Sequence, residues 1–116
     1  MSSKIFCYFE ATVGLINTVL LFFYPDVFAK SWGSGIVVTP DLRFVMSWWG
    51  AALFAVAGLC LRAALTKNEA ERKSFVRWMS LLLLPSIYLG YTMRHETVAP
   101  LTFNTVAFLF GIASSF

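Results

Sequence analysis

The sequence predicts an all-α integral membrane protein, folded as a single-domain four-helix bundle. Hydrophobic residues make up 59% of its 116 residues and charged residues only 13%, against roughly 45–50% and 25% in ordinary soluble domains. The charges lie in short stretches between four apolar runs, so they cannot provide a water-facing surface. This composition excludes a soluble enzyme, and the net charge of +3 gives no indication of nucleic-acid binding.

The first predicted span covers residues 5–24. An apolar run of 20 residues extends over about 30 Å as a helix, which is the thickness of the hydrocarbon core of a bilayer. The length of the run and the presence of Glu10 favour a mature helix over a cleaved signal peptide. Pro25 ends this span, and residues 27–38 are expected to form a loop whose amphipathic start lies at the headgroup level.

Three further spans are predicted, over residues 42–65, 75–93 and 98–116. Thr39 and Pro40 are typical of a helix start, with Thr39 as the N-cap and proline at the first helical position. The hydrophilic segment 66–74 is expected to form a loop or an exposed helical extension. The four spans leave too few residues for a second domain.

Basic residues are distributed unequally between the two sides of the predicted bundle. With four crossings, both termini share a side with the segment between the second and third spans, and six cations lie there: Lys4, Arg62, Lys67, Arg72, Lys73 and Arg77. Three lie opposite: Lys30, Arg43 and Arg94. The positive-inside rule therefore places both termini in the cytoplasm of a multi-pass protein whose surroundings are the lipid bilayer.

Small and polar residues at spacings of three and four predict the faces on which the helices meet. On the first span these are Cys7, Glu10, Gly14 and Asn17. On the second they are Ser47, Ala51, Ala55, Gly58 and Arg62, and on the fourth they are Pro100, Asn104, Ala107, Gly111 and Ser115. The simplest interpretation is that these faces only form the contacts of a tightly packed bundle.

Glu10 is the most informative residue, because a carboxylate inside a span costs several kcal/mol unless it is paired, protonated or in contact with water. Arg62 and Arg77 enter their spans at the same depth, which predicts a structural ion pair with one of them. The alternative is a functional carboxylate that carries a proton or contacts a cationic or hydroxylated ligand. Asn17 and Asn104 are further candidates for such a ligand site.

Two other groups of residues are candidates for binding. Trp48 and Trp49 lie deeper than an aromatic belt, so at least one is expected to pack into the bundle, where it could form a wall for an apolar ligand. At the opposite side from the six cations, a polar mouth is predicted from Arg43, Tyr91, Arg94, His95 and Glu96. No metal site, cofactor site or catalytic constellation is predicted, because there is one histidine and no nucleophile beside a base.

Three family resemblances bear on function. The segments GLINTVLLFFYPDVFAKSWG and TPDLRFVMSWWGAALFAVAGL, with Arg62 following, resemble the DoxX-like small four-helix membrane proteins over the first two spans. Residues 47–116 are similar in layout to the ergosterol-biosynthesis scaffold family, with an aromatic-rich helix ending in arginine, a His-Glu pair and an Ala-Pro helix opening. The chain length and Glu10 also resemble the small multidrug resistance transporters, although LLLLPSIYLG replaces their glycine-rich third helix.

These observations predict a protein that acts by binding, as a scaffold, an accessory subunit or a carrier of an apolar ligand. Its partners would be the bilayer together with other membrane proteins or further copies of the chain. The alternatives are a proton-coupled exporter that uses Glu10 and, with less support, an isomerase-like membrane enzyme acting on a lipophilic substrate.

Overall fold

The computed structural model describes the backbone of residues 2–32, 36–92 and 99–116. Those residues form helices and contain no strand, so the predicted all-α class is confirmed. In chain order, the helices are α1 (Ser3–Phe23), α2 (Pro25–Trp32), α3 (Pro40–Leu65), α4 (Glu69–Thr92) and α5 (Ala99–Ser114). Of these, α1 and α3 are long and apolar enough to cross a membrane, whereas the apolar stretch of α5 is shorter.

The start of α3 follows the predicted signature. Thr39 is its N-cap, and the Thr39 hydroxyl oxygen accepts a hydrogen bond from the backbone N–H of Leu42 at 3.2 Å. Pro40 occupies the first helical position, where its missing N–H costs nothing. At the other end, the N–H of Thr66 donates to the carbonyl of Arg62 at 3.1 Å, so α3 ends where the hydrophilic segment begins.

The segment after the first span is a helix where the sequence led us to expect a loop. Pro25 ends α1 but also begins α2, because proline is favourable in the first turn of a helix. One face of α2 buries Phe28 and Ala29, which form a core cluster with Leu21 of α1 and Met46 of α3. The prediction of a loop was therefore wrong for residues 27–32, because burying one face stabilises a helix there. Residues 36–38 are non-helical, as predicted, and residues 33–35 lie outside the described residues.

The hydrophilic segment before the third span is mostly helical, which corresponds to the predicted extension. Helix α4 begins at Glu69, six residues before the apolar run. The Asn68 side-chain oxygen accepts a hydrogen bond from the Glu71 N–H at 3.2 Å, and Lys73 pairs with Glu69 at 3.7 Å, one turn apart. Capping and a pair at this spacing stabilise the exposed turn.

The helices pack as two antiparallel hairpins, an N-terminal hairpin of α1 and α3 and a C-terminal hairpin of α4 and α5. In each hairpin, a glycine lies where the two helices approach most closely. A Cβ added at Gly14 would lie 3.1 Å from the Cβ of Ala57, and one added at Gly111 would overlap the Ser80 hydroxyl. The molecule measures 44 × 27 × 16 Å.

Phe6 joins the two hairpins. It is 1% exposed and forms a core cluster with Ala63 and Ala64 of α3 and Val76 of α4. Its ring stacks on Phe110 of α5 with centroids 5.4 Å apart. Four helices therefore meet around this one side chain, close to the start of α1.

The predicted inner faces are confirmed in part on α1 and on α5, where the side chain of Pro100 lies outside the described residues, and wrong on α3. Cys7 and Gly14 are buried on α1, and Ala107, Gly111 and Ser115 are buried on α5. On α3, the predicted row is exposed at Ala51, Ala55, Gly58 and Arg62 and half-buried at Ser47. The row that faces α1 is instead Met46, Gly50, Leu53, Ala57, Cys60 and Ala64.

The error on α3 is a rotation by about one residue. The observed contact rows alternate spacings of four and three on both helices, and on α1 the row is Cys7, Ala11, Gly14, Thr18 and Leu21. This is the heptad spacing of antiparallel helices that cross at a shallow angle. The predicted row on α3 has two successive spacings of four, from Ser47 to Ala51 and from Ala51 to Ala55, before its first spacing of three. It therefore turns away from the face that packs against α1.

Candidate functional site

The candidate site is centred on Glu10, which lies seven residues, or about 10.5 Å, from the start of α1. The residue follows Phe6 by one turn, so both side chains lie on the same side of the helix, toward the junction of the hairpins. The side chain is half-buried, and its Oε1 atom is buried with no hydrogen-bond partner among the residues that the structure describes. An unsatisfied buried acceptor of this kind costs about 1–3 kcal/mol, and more when it is charged.

Two thiols lie near this carboxyl group. Cys7 and Cys60 are both free and fully buried, one on each helix of the N-terminal hairpin. Cys7 and Cys60 belong to the rows on which α1 and α3 meet, and Glu10 follows Cys7 by about one turn, so both sulfur atoms lie within electrostatic range of the carboxyl group. Thiols are weak hydrogen-bond donors. The surroundings of Oε1 are therefore apolar or weakly polar, and a ligand could supply the missing donor.

The predicted ion pair between Glu10 and Arg62 or Arg77 is wrong for the residues that the structure describes. Arg62 belongs to the exposed row of α3, which faces away from α1. The Arg77 guanidinium donates a 2.8 Å hydrogen bond to the carbonyl of Ser115, and it lies 4.8 Å from the centroid of the Phe116 ring. The end of α5 holds this arginine, because exposed helix carbonyls attract cations.

The other predicted ligand residues are dispersed. Asn17, two turns after Glu10, and Asn104 on α5 are half-buried. Trp49 contacts Phe28 edge-on with ring centroids 5.1 Å apart, so it does pack onto the fold, whereas Trp48 is 66% exposed. Within the described ranges, none of these four side chains bonds to Glu10.

The predicted polar mouth lies largely outside the described residues. Arg43 and Tyr91 are exposed at the expected end of the molecule. Arg94, His95 and Glu96 fall in the segment that the structure does not describe. In the parts of the chain with described coordinates, no group of three or more His, Cys, Asp or Glu side chains could hold a metal ion.

Three cations of α4 act as helix caps, a role the sequence analysis did not assign. Arg72 donates to the Thr66 carbonyl at 2.9 Å and to the Ser3 hydroxyl at 3.1 Å. Lys73 reaches the Phe116 carbonyl at 3.5 Å, next to the bond that Arg77 makes with Ser115. Cations at carboxyl ends of helices are favourable. Arg72 thus caps α3, while Lys73 and Arg77 cap the end of α5.

Fold and site together define a class of protein: a helical chain with two helices able to cross a membrane and a half-buried glutamate at the junction of its two hairpins. Comparison with protein-family models, curated proteins and solved structures finds no match for this chain. The three family resemblances therefore stay expectations from the sequence.

Replacing Glu10 with methionine is expected to raise the free energy of unfolding by about 1–3 kcal/mol. Methionine has a similar shape and removes the unsatisfied acceptor. The measurement is reversible unfolding in detergent, followed by circular dichroism. An ion pair would give the opposite sign, since breaking one leaves a charge uncompensated.

The matched control is Glu71→Met, at an exposed carboxylate in the first turn of α4. It should change the free energy of unfolding by no more than about 0.5 kcal/mol. A loss of stability in Glu10→Met would show that the carboxylate has a stabilising partner.

Proposed function

We propose that this chain is an integral membrane protein that binds, inside the bilayer, an apolar molecule bearing a hydroxyl or amine. Its four spans are α1, α3, α4 and α5, and the end where α1 and α4 begin and α3 and α5 end, with both termini, lies in the cytoplasm. The observation that carries the proposed binding is the buried, unpartnered Oε1 atom of Glu10.

Support for the membrane location comes from the side chains on the outside of the hairpins. Phe23, Phe44 and Phe54 are 73%, 65% and 61% exposed, and they belong to a surface that is apolar along both α1 and α3. Contiguous apolar surface of this extent is unfavourable in water and favourable in hydrocarbon. The long dimension of 44 Å corresponds to a bilayer of about 40–45 Å including its headgroups.

Support for a ligand comes from the free energy that it costs to place the Glu10 carboxyl group inside a membrane helix. Ionisable side chains within membrane helices are costly and are commonly retained for function. A hydroxyl or amine of a ligand would donate to Oε1, and the ligand's hydrocarbon would remain in the apolar surroundings. A hydrogen bond to a charged group contributes about 1.5–3 kcal/mol, so it distinguishes an alcohol from an alkane by at least about tenfold in affinity.

The test uses photoactivatable hexadecanol and the corresponding alkane without the hydroxyl. The purified protein in phosphatidylcholine nanodiscs is crosslinked with each probe, and the labelled peptides are identified by mass spectrometry. We expect the alcohol to label the α1 and α3 peptides around Glu10 about tenfold more strongly than the alkane. Glu10→Met should remove this preference while making the protein more stable, which separates lost binding from lost folding.

Other results would favour the alternatives. Equal labelling by the two probes, or a preference that survives in Glu10→Met, would contradict the ligand site. Uptake of tetraphenylphosphonium into liposomes, driven by a proton gradient and abolished in Glu10→Met, would favour the exporter. Specific co-isolation of a membrane protein without any probe preference would favour the scaffold, and turnover of a lipid by the purified protein would favour the enzyme.

A further inference from the structure

The positive charge of the protein is concentrated at one end, which we call the basic end. It consists of six cations and the carboxylates of Glu69 and Glu71, and the cations are Lys4, Arg62, Lys67, Arg72, Lys73 and Arg77. Apart from Glu10, the remaining charges of the sequence are three basic and three acidic residues, which cancel. The net charge thus comes from the end where α1 and α4 begin and α3 and α5 end.

Three of these cations are already engaged within the fold. Arg72, Lys73 and Arg77 bond to the carbonyls at the ends of α3 and α5, as described above. The other three, Lys4, Arg62 and Lys67, are exposed. Among the residues with described coordinates, none bonds to them through a side-chain hydrogen bond or an ion pair. Half of the cations are therefore available to an outside partner.

The register of the N-terminal hairpin brings the three available cations to a similar depth. Gly14 lies against Ala57 in this antiparallel pair, so Lys4, ten residues before Gly14, lies level with Lys67, ten residues after Ala57. Arg62 is on the last turn of α3, and Lys67 follows two residues after the end of that helix. These cations lie within about two turns of each other at the end of two apolar helices, a depth that the proposed membrane location assigns to the lipid headgroups.

We propose that Lys4, Arg62 and Lys67 bind the phosphate group of anionic phospholipids in the cytoplasmic leaflet. This inference rests on the proposed membrane location. Guanidinium groups bind phosphate oxygens through paired hydrogen bonds, and lysine adds charge. Each cation near an anionic membrane surface strengthens association about fivefold. Three together therefore strengthen it about a hundredfold at low ionic strength, and salt weakens the effect.

The test measures which lipids remain with the protein. The purified protein is placed in nanodiscs of equimolar phosphatidylglycerol and phosphatidylcholine, released, and examined by native mass spectrometry for retained lipids. We expect phosphatidylglycerol to be strongly enriched over phosphatidylcholine. The triple variant Lys4→Gln, Arg62→Gln, Lys67→Gln should lose the enrichment but keep its unfolding midpoint, because these side chains make no described bonds within the fold.

The matched control is Lys30→Gln combined with Arg43→Gln, which removes two exposed cations from the opposite end. It should leave the enrichment unchanged. Equal retention of the two lipids, or enrichment that survives in the triple variant, would overturn the inference. Complete displacement of phosphatidylglycerol by inorganic phosphate would also overturn it, by showing a general anion site.

If the proposed membrane location is wrong, the nanodisc experiment gives a different result. A protein that remains outside the nanodiscs would contradict the proposed function and this inference together. A protein that enters the nanodiscs without preferring the anionic lipid contradicts this inference alone.

Discussion

Replacing Phe6 with alanine is expected to lower the free energy of unfolding by about 3–5 kcal/mol, the usual cost of truncating a fully buried aromatic side chain. Phe6 is 1% exposed and is surrounded by side chains of α3, α4 and α5. Its removal leaves a cavity where the two hairpins meet. The loss is measured by reversible unfolding in detergent, together with the distance between spin labels on α3 and α4, which should increase.

Phe23→Ala provides the matched control. Phe23 lies on the same helix, carries the same side chain and is 73% exposed. It should change the free energy of unfolding by no more than about 0.5 kcal/mol, because an exposed site leaves no cavity. Equal losses in the two variants would mean that the hairpins are not held together at Phe6.

A leucine at Gly111 is expected to cost about 3 kcal/mol through overpacking. An added Cβ would overlap the Ser80 hydroxyl and lie 3.0 Å from the Cζ atom of Phe6. The Ser80 hydroxyl is held by a 2.7 Å hydrogen bond to the Val76 carbonyl, so its movement has a cost of its own. The side chain would push α4 and α5 apart, which the same unfolding measurement would detect.

Gly58→Leu tests whether the effect comes from packing. A Cβ added at Gly58 would meet nothing within 4 Å, and leucine favours a helix over glycine by about 0.5–1 kcal/mol. This variant should therefore be as stable as the parent or slightly more stable. If Gly58→Leu were destabilised as much as Gly111→Leu, the exposed row of α3 would have to be in contact with another chain.

The helices with strong local signals were predictable. The apolar run of the first span corresponds to α1, and the Thr39-Pro40 signature corresponds to the start of α3, because both signals lie within one continuous segment of the chain. The sequence is compatible with either a loop or a helix before the third span. The capping hydrogen bond there joins Asn68 and Glu71, and the strength of such a local bond depends on its surroundings. Helix α2 was missed because its stability comes from burying Phe28 against two other helices.

The contact face of α3 was missed for a different reason. Two rows that contain several small residues run along this helix, about one residue apart, and both satisfy a search for spacings of three and four. Only the row that includes Gly50 and Ala57 keeps a strict heptad spacing opposite the heptad row on α1. Comparing the two helices, rather than reading each alone, would have distinguished the rows.

The candidate site was predictable in its central residue and not in its partners. The depth of Glu10 in an apolar run was sufficient to single it out. Its pairing with Arg77 was wrong because the carbonyls of α5 and the ring of Phe116 compete for the same guanidinium. Such competition depends on where a distant helix ends, which the local sequence does not indicate.

The position of Phe6 has a consequence for the order of assembly during synthesis. The N-terminal hairpin involves residues up to Leu65, so α1 and α3 can pair before α4 has been made. Phe6, however, needs Val76 and Phe110 to complete its surroundings. Phe6 therefore leaves the ribosome long before the side chains that complete its surroundings, and until then the nascent chain presents an aromatic ring to any cellular factor that protects unfinished helices.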